Sequence, residues 1–258
     1  MNFAISDEVV KDLEQFTDFL RTQMEPFLAE WYKREAVPRE FFQNVGKDGW
    51  LGFTLKNGEL LEQSYLRQTI LLEQLAKISP GVAVAIMVQI SLGMVPLYLF
   101  GSEKQKKIYL PPALRGETLL CLGNTEHRAG SDVASIAMQA EKAEGGWLLH
   151  GTKAYVTNGA ISDLALITAV SDPDAARNNR LSMFLVDLSS TGVSRKKLNK
   201  RVWIPSDLTR LSFNNVFVPE ENLVGEQGRG LQQVLATFTQ SRIPISGLTL
   251  GTAVGAFG

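Results

Sequence analysis

The sequence predicts a multidomain protein of α and β structure. We expect an N-terminal helical domain over residues 1–117, a middle antiparallel β-barrel domain over residues 118–227 and, over residues 228–258, the first helix of an incomplete C-terminal helical bundle. Two observations predict this organisation. At roughly 150 residues per domain, a chain of 258 residues suffices for about two domains. The apolar spacing is helical up to about residue 117, strand-like from about Leu119, and helical again after Gly230.

Composition limits the classes of function. Lys and Arg number 26 against 27 Asp and Glu, so the formal net charge is −1 and provides no global attraction to nucleic acid or anionic membranes. An anionic ligand therefore needs a local site. One cysteine, Cys121, excludes an intramolecular disulfide framework, and with two histidines it leaves too few ligands for a typical zinc site. Redox chemistry, if present, would thus require a bound cofactor. The start at Met1 lacks the features of a targeting peptide, so we expect a cytoplasmic protein.

The first domain is predicted from three helical patterns. Apolar residues recur every three or four positions over residues 13–31, and Pro26 is expected to break or kink this helix. Pro38 begins a second predicted helix that Gly49 ends, and residues 65–76 form a third.

Residues 82–100 are apolar enough to approach the length of a membrane span. Gly93 and Pro96 interrupt the segment, and the neighbouring helices are amphipathic, which favours a buried central helix. Ser102 is expected to cap a short helix that stops at Pro111 and Pro112.

Six short apolar runs separated by turn residues follow, without helical patterns between them. Such spacing is typical of an antiparallel sheet or barrel and not of βαβ units. The runs are residues 119–123, 136–140, 147–150, 164–170, 181–186 and 211–218.

The last helical segment carries Gly247, Gly251 and Gly255 at intervals of four residues. This spacing places the three glycines on one side of the helix, where another helix could pack closely. An apolar helix that reaches Gly258 without a polar cap leads us to expect a further helical domain, either in the same chain or in another.

The densest polar segment, residues 124–132, reads Asn-Thr-Glu-His-Arg-Ala-Gly-Ser-Asp and lies between two strand-like runs. Gly123 and Gly130 allow close backbone approach, and the polar side chains between them supply hydrogen-bonding groups. Such a loop can bind a phosphate or the edge of a heteroaromatic ring through its backbone N–H groups. The same residues also fit an ordinary polar turn, so this segment alone leaves both interpretations open.

A second segment, residues 151–159, reads Gly-Thr-Lys-Ala-Tyr-Val-Thr-Asn-Gly. Tyr155 and Thr157 are two residues apart and therefore point to the same face of a strand. An aromatic plane beside a hydroxyl suits a flat ring. The alternative is a half-buried strand with Tyr155 in the core.

Together these segments resemble the signatures of the acyl-CoA dehydrogenase family. Residues 125–132 match the family's Thr-Glu-Pro-x-Ala-Gly-Ser-Asp loop, except that His127 replaces the proline. Residues 151–159 match its Gly-x-Lys-x-aromatic-(Ile/Val)-Thr-Asn-Gly stretch. A third match runs from the strand at residues 211–218 to the helix that carries Arg242. The order and spacing hold over essentially the whole chain.

The resemblance implies FAD as the cofactor. Thr125 would bond the pyrimidine edge of the flavin, Tyr155 would lie beside the isoalloxazine, and Thr157 would bond near N5. The residues implied to contact the cofactor are Leu122, Asn124, Thr125, Gly130, Ser131, Tyr155, Val156 and Thr157.

The implied reaction removes the α-proton and the β-hydride of an acyl-CoA thioester to give the 2-enoyl-CoA. The residues implied to face the substrate are Ser131, Thr239, Ser241 and Arg242. Two positions depart from many family members: Tyr155 stands where tryptophan is common, and Thr239 where an acidic residue is common.

The catalytic base is expected outside these residues. In most of the family it is a glutamate on a later helix, which would lie beyond Gly258. In some branches it is a glutamate just before the helix arginine, and here that position is Ser241. We therefore expect no catalytic carboxylate within the 258 residues.

The resemblance also implies an electron-transfer flavoprotein as partner and a homotetramer when the protein is full length. From the net charge and the pattern of residues 82–100 we expect no nucleic acid partner and no membrane span. Two alternatives stay open. One is an acyl-CoA oxidase or flavin monooxygenase of the same fold, and the other is a non-catalytic subunit of a heteromeric dehydrogenase. The acyl chain length is not encoded in any simple pattern.

Overall fold

A computed structural model describes residues 6–52, 55–56, 59–60 and 64–257, so the N-terminal Met1 and the last residue, Gly258, lie outside the described residues. The helices are α1 (Asp7–Gln23), α2 (Leu28–Arg34), α3 (Arg39–Lys47), α4 (Ser64–Ile78), α5 (Pro80–Met87), α6 (Val95–Phe100), α7 (Glu103–Leu114) and α8 (Gly230–Phe257). The strands are β1 (Leu55–Lys56), β2 (Glu59–Leu60), β3 (Leu120–Gly123), β4 (Gln139–Ala143), β5 (Gly146–Thr157), β6 (Leu164–Val170), β7 (Leu181–Asp187), β8 (Val193–Lys197), β9 (Leu208–Pro219) and β10 (Leu223–Val224).

The predicted break at Pro26 is confirmed. A 3₁₀ turn, Glu25–Phe27, separates α1 from α2, with the proline in its first turn. Pro38 stands immediately before α3, which ends at Lys47, two residues before Gly49. The third predicted helix corresponds to α4.

A central apolar segment connects α5, the π-helical turn Val88–Met94 and α6. The segment Pro80–Phe100 is long and apolar enough to cross a membrane, but 83% of its most apolar stretch is buried inside the protein. That burial favours a core helix, as the sequence predicts. Gln89 donates to the carbonyl oxygens of Ala113 and Thr118 and accepts from the Leu120 amide, which fixes the π-helical turn against the start of the sheet.

The predicted end of the following helix is wrong. Ser102 forms a capping box with Gln105 as expected, but α7 continues through Pro111 and Pro112 to Leu114. A proline removes one N–H donor and leaves its carbonyl available. The Pro111 carbonyl accepts from the Arg115 amide, so the last turn is still closed by a hydrogen bond.

The strands β3 to β10 form one sheet in the order β10-β7-β6-β4-β5-β9-β8, and β3 also pairs with β6. The β10–β7, β7–β6, β4–β5, β5–β9 and β9–β8 pairings are antiparallel. The sequence analysis missed β8 and β10.

The structure corrects the predicted antiparallel barrel in two respects. Within the described residues no pairing joins β10 to β8, so the sheet is open. The strand β6 pairs in parallel with both β3 and β4, because the connection from β3 to β4 and the β4–β5 hairpin each return the chain to the same end of the sheet. One edge strand, β8, is short and carries Arg195, Lys196 and Lys197, and charge of this kind protects an exposed edge from pairing with other chains.

The predicted glycine stripe of α8 packs against α4. A Cβ added at Gly247, Gly251 or Gly255 would lie 2.1 to 2.2 Å from a backbone carbonyl oxygen of α4. The three carbonyls belong to Thr69, Glu73 and Lys77. Only glycine permits this approach, so α8 is seated directly on the backbone of the N-terminal helices. We call this contact the glycine seam.

Candidate functional site

A small cavity of about 120 Å³ lies where the loop after β3, the end of β5, the π-helical turn and α8 meet. Its lining residues are Val88, Leu92, Leu122, Asn124, Thr125, Ala154, Tyr155, Thr157 and Phe238. The two sequence segments that carry the predicted flavin contacts therefore converge on one place.

Five of the eight predicted cofactor residues line this cavity: Leu122, Asn124, Thr125, Tyr155 and Thr157. The other three are not part of the lining. Gly130 and Ser131 are exposed, farther along the loop. Val156 is 2% exposed and belongs to the hydrophobic core, so only its backbone is available to a ligand in the cavity.

A β-bulge shapes the strand wall of the cavity. The register between β5 and β9 shifts between Lys153 and Val156, and Tyr155 adopts a left-handed φ of 56°. Lys153 and Val156 both point inward, so the two residues between them share the outer side. Tyr155 and Thr157 therefore face the same cavity, as predicted. Tyr155 is 56% exposed, so the alternative interpretation of a core tyrosine is wrong.

A buried ion pair fixes the loop to the strand behind this wall. The side chain of Lys153 is 0% exposed, and its Nζ donates to Glu126 Oε1 at 2.7 Å and to the Asn124 carbonyl at 3.1 Å. Glu126 also accepts from the backbone amides of Ala137 and Met138, at 2.9 and 3.0 Å. One carboxylate thus connects the loop, the approach to β4 and β5.

The environment of Lys153 shifts its protonation. Burial lowers the pKa of the Lys153 ammonium to about 8, against the opposing attraction of Glu126. Beside the Lys153–Glu126 ion pair, the backbone amide of Ala154 donates a hydrogen bond to the Thr125 carbonyl at 2.8 Å. Charge and backbone together therefore set the distance between Thr125 and the strand across the cavity.

The exposed end of the loop after β3 is also held by an ion pair. Asp132 pairs with Arg177, and a hydrogen bond from Ser135, followed by the charge of Arg177, lowers the pKa of the Asp132 carboxyl. Ser131, predicted to face both cofactor and substrate, is the residue before this exposed pair.

The helix wall is formed by α8. Phe238 lines the cavity, and Arg242 follows it by four residues on the same side of the helix and is exposed. The hydroxyls of Thr239 and Ser241 bond within the helix, to the carbonyls of Leu235 and Phe238. No carboxylate belongs to the cavity lining in the part of the chain that the structure describes.

The lining fits a flat heteroaromatic ligand. Within the described ranges the hydroxyls of Thr125 and Thr157 make no hydrogen bond to protein, although both line the cavity. Leu122, Leu92 and Phe238 supply apolar surface between them. Apolar walls with a few converging polar groups are typical of a cofactor site.

Comparison with known proteins identifies the family. Residues 6–117 match the family model for the acyl-CoA dehydrogenase N-terminal domain, and residues 121–216 match that for the acyl-CoA dehydrogenase middle domain. An acyl-CoA dehydrogenase of Bacillus subtilis (strain 168) is 31% identical over 254 residues, which cover 98% of this chain and 67% of the relative. The chain belongs to the acyl-CoA dehydrogenase family.

Solved structures of this family share the fold. The butyryl-CoA dehydrogenase of Megasphaera elsdenii is 28% identical with a TM-score of 0.92 and covers 99% of this chain, which spans 68% of that structure. A structure from work on the electron transferring flavoprotein of Acidaminococcus fermentans and flavin-based electron bifurcation is 26% identical with a TM-score of 0.93, at coverages of 99% and 68%. The chain thus spans about two thirds of the length of these relatives.

Members of this acyl-CoA dehydrogenase family are oxidoreductases that bind FAD, and the chain is a flavoprotein of this class. A more distant structure, PigA in complex with FAD, is 24% identical with a TM-score of 0.90 and shows only that the fold is shared. The convergence of Thr125, Thr157 and Tyr155 on one cavity agrees with this cofactor.

Sequence reasoning missed Glu126 and Lys153 as parts of the site. A signal was available, because strand alternation places Lys153 on the same inward face as Trp147 and Leu149. A lysine on a core face requires an acidic partner. No comparable pattern indicated Phe238, whose position depends on how α8 packs.

Proposed function

We propose that this protein catalyses FAD-dependent α,β-dehydrogenation of an acyl-CoA thioester to the 2-enoyl-CoA and passes the electrons to an electron-transfer flavoprotein. The observation that carries the proposal is one cavity lined by residues of both flavin segments, with two hydroxyls that have no hydrogen-bond partner among the described residues. The likeness to the butyryl-CoA dehydrogenase of Megasphaera elsdenii supports an acyl-CoA substrate. The likeness to the structure from work on the electron transferring flavoprotein of Acidaminococcus fermentans supports the proposed partner. We also propose that the full-length protein is cytoplasmic and forms a homotetramer.

FAD, when bound, supplies the acceptor for the β-hydride. The chain's own residues bind and orient it. In this proposal Thr125 and Thr157 hydrogen-bond the ring edge, Tyr155 covers the strand side, and Phe238 closes the helix side against water. A wall closed to water strengthens every electrostatic interaction with charge that develops on the substrate.

The substrate is proposed to lie along α8 and the loop. Arg242, exposed one turn after Phe238, would provide a cation for the polar part of the thioester ligand. Ser131 would contact it from the loop. The helix positions Thr239 and Ser241 complete the proposed surface, with hydroxyls that must give up their intrahelical bonds to reach a ligand.

The proposal places the base outside the described lining. No carboxylate lines the cavity within the described residues, and Ser241 occupies the alternative position. Loss of a positioned general base costs about 10²- to 10⁴-fold in rate. We therefore expect no rapid dehydrogenation by residues 1–258 alone, with a glutamate beyond Gly258 acting as the base.

The test is anaerobic bleaching of the bound flavin by short, branched and long acyl-CoAs. Residues 1–258 should bleach slowly or not at all, and a longer product of the same reading frame should bleach rapidly with one class of substrate. Rapid bleaching by residues 1–258 alone would place a base within them and overturn this part of the proposal. Reoxidation by oxygen faster than by an electron-transfer flavoprotein would instead identify an oxidase or monooxygenase.

A further inference from the structure

The hairpin formed by β8 and β9 concentrates positive charge. The chain as a whole has 26 lysines and arginines against 27 aspartates and glutamates. Residues 193–219, which are β8, β9 and the loop between them, contain one acidic residue, Asp207, and its side chain is 4% exposed. We call these residues the basic hairpin. Its six cations are Arg195, Lys196, Lys197, Lys200, Arg201 and Arg210.

Three of these cations have no partner in the described part of the chain. Lys196, Arg201 and Arg210 form no ion pair and no hydrogen bond there, and all three side chains are exposed. The other three cations each donate to a backbone carbonyl, those of Ala160, Glu35 and Trp203. The basic hairpin therefore presents unpaired positive charge to its surroundings.

Two of the unpaired cations lie side by side on the outer face of the sheet. Leu211 and Thr209 are buried on the inner face, so Arg210 between them points outward, and Lys196 is its direct cross-strand partner. Like charges in this arrangement destabilise a sheet. Protection of the sheet edge does not account for Arg210, because β9 is paired on both sides.

The end of the basic hairpin exposes apolar side chains next to this charge. Val202 is 70% exposed and Trp203 is 44% exposed, and Arg201 directly precedes them. Tryptophan is a residue that folded proteins usually bury to a large extent. Trp203 also has a left-handed φ of 56°, which is an outlier for a bulky residue.

The loop that carries these apolar residues is held in place by the fold. Lys200 Nζ donates to the Trp203 carbonyl at 2.5 Å and to Ser206 Oγ at 2.7 Å. A Cβ added at Gly81 would lie 2.3 Å from the Ile204 carbonyl oxygen, so the loop packs directly on the start of α5. The exposure of Val202 and Trp203 is therefore a property of a fixed loop.

Unpaired cations beside exposed apolar residues suit an anionic lipid surface best. Tryptophan is enriched where a bilayer meets water, and each lysine or arginine near an anionic leaflet adds attraction. A nucleic acid backbone would neutralise the cations but would leave Val202 in water. Protein interfaces are depleted in lysine, and three of the six cations of the basic hairpin are lysines.

We propose that the end of the basic hairpin docks this protein on an anionic lipid surface. Val202 and Trp203 enter the headgroup region, while Lys196, Arg201 and Arg210 contact lipid phosphates. A strand rises about 3.4 Å per residue, so Lys196 lies within ~7 Å of the first residue of the loop and can reach the same surface. The contact is peripheral and goes beyond the proposed reaction, on which it does not depend.

The test is flotation of the full-length protein with vesicles of phosphatidylcholine alone and of phosphatidylcholine mixed with phosphatidylglycerol. The protein should float only with the anionic vesicles, and high salt should release it because screening weakens exposed charges. Each cation near an anionic surface strengthens binding about fivefold. The triple variant Lys196→Gln, Arg201→Gln, Arg210→Gln should therefore lose affinity for the anionic vesicles by about a hundredfold.

A second variant tests the apolar residues. Asparagine adopts a positive φ more readily than most residues, so Trp203→Asn with Val202→Ser removes apolar surface and keeps the loop conformation. Binding to the anionic vesicles should weaken by about tenfold or more. Brominated lipids should quench tryptophan fluorescence in the unaltered protein but much less in this variant, a signal that a merely structural role of Trp203 would not give.

The matched control lies on α7. Lys107→Gln with Ile108→Ser removes an exposed lysine and an apolar side chain that is 48% exposed, and it should leave vesicle binding unchanged. The triple variant should keep or raise the melting temperature, since it removes two charges that repel each other across the strands. A loss of vesicle binding in that variant would thus not reflect unfolding.

Three results would overturn the proposal: no binding to the anionic vesicles, equal binding to both kinds of vesicle, or an equal loss of binding in the α7 control. Duplex DNA or polyglutamate bound in place of vesicles, and released by the triple variant, would assign the basic hairpin to another polyanion and overturn the lipid as its partner.

Discussion

The two walls of the cavity differ in what holds each of them to the rest of the molecule. The strand wall depends on the Lys153–Glu126 pair, two charges in the interior with partners at fixed distances. The helix wall follows the glycine seam, where Gly247 and Gly251 place α8 directly against the backbone of α4. The first wall is therefore sensitive to charge and the second to volume, and substitutions can test the two separately.

The largest effect is expected from breaking the charge contact. Lys153→Met leaves Glu126 buried without its cation, so the free energy of unfolding should fall by about 3 to 5 kcal/mol. Urea denaturation followed by circular dichroism measures this change. Because Glu126 also holds the amides of Ala137 and Met138, FAD affinity should fall in the same variant.

The matched control is an exposed pair on the neighbouring strand. Lys142 contacts Glu220 at 2.8 Å, close to the 2.7 Å of the buried pair, but its side chain is 52% exposed. Lys142→Met should cost only about 0 to 1 kcal/mol. Similar losses in both variants would show that burial does not set the strength of the Lys153 contact.

The next effect concerns the glycine seam. In an exposed helix, glycine to alanine stabilises by about 0.8 to 1 kcal/mol. At Gly251 the added Cβ would lie 2.2 Å from the Glu73 carbonyl oxygen, so Gly251→Ala should instead destabilise by about 1 to 3 kcal/mol. The control Ala253→Leu, on the exposed side of α8, should change stability by less than about 0.5 kcal/mol. A stabilised Gly251→Ala would mean that the two helices do not touch.

The dependence on pH should separate the walls further. The pKa of Lys153 is about 8 in the fold and near 10.5 when unperturbed, so between these values the unfolded chain binds more protons. The unfolding free energy contributed by this group should therefore rise with pH across that window, by at most about 1.4 kcal/mol per pH unit. Lys200, with a pKa lowered to about 8, also makes the unfolding free energy rise with pH. Cys121, with its pKa raised to about 12, makes the unfolding free energy fall with pH above pH 9.

The contribution of Lys153 is isolated as the difference between the unaltered protein and Lys153→Met, measured from pH 7 to 10.5. Gly251→Ala should show no such difference in slope. Parallel pH profiles for the unaltered protein and Lys153→Met would contradict the lowered pKa.

The smallest effect is expected from the cavity lining itself. Thr157→Ala removes one hydroxyl that has no partner in the described part of the chain, so FAD binding should weaken by about 0.5 to 1.5 kcal/mol without loss of stability. Fluorescence titration of the flavin measures the affinity. Thr249→Ala, an exposed threonine on α8 with a similar hydroxyl, should leave affinity unchanged.

The sequence was most informative where chemistry is local. The motif around Thr125 and the motif around Tyr155 can be recognised by residue type and spacing, and both proved to line one cavity. The glycine spacing of α8 predicted close helix packing but could not name α4 as the partner, because that contact joins distant parts of the chain. The parallel pairing of β3 with β6 was missed for the same reason, since period-two alternation is identical in parallel and antiparallel strands.

The bulge at Tyr155 had no sequence signature that strand alternation could detect. Alternation gave the correct face for Tyr155 and Thr157 because the inserted residue, Ala154, shares the outer side with Tyr155. The charges on the outer face were equally hard to interpret beforehand. Over the whole chain the 26 lysines and arginines are balanced by 27 aspartates and glutamates. Only the register of β8 against β9 brings Lys196 and Arg210 together.

The glycine seam also orders events during synthesis. Contacts between α4 and α8 join distant parts of the chain, and the bond from Thr69 to the Ile243 carbonyl spans 174 positions. At about 5 to 20 residues per second, the ribosome makes α8 on the order of 10 to 35 s after α4. Throughout that interval the side of α4 that will receive the glycines lacks α8 as its partner, so this surface can be buried only when α8 has been made.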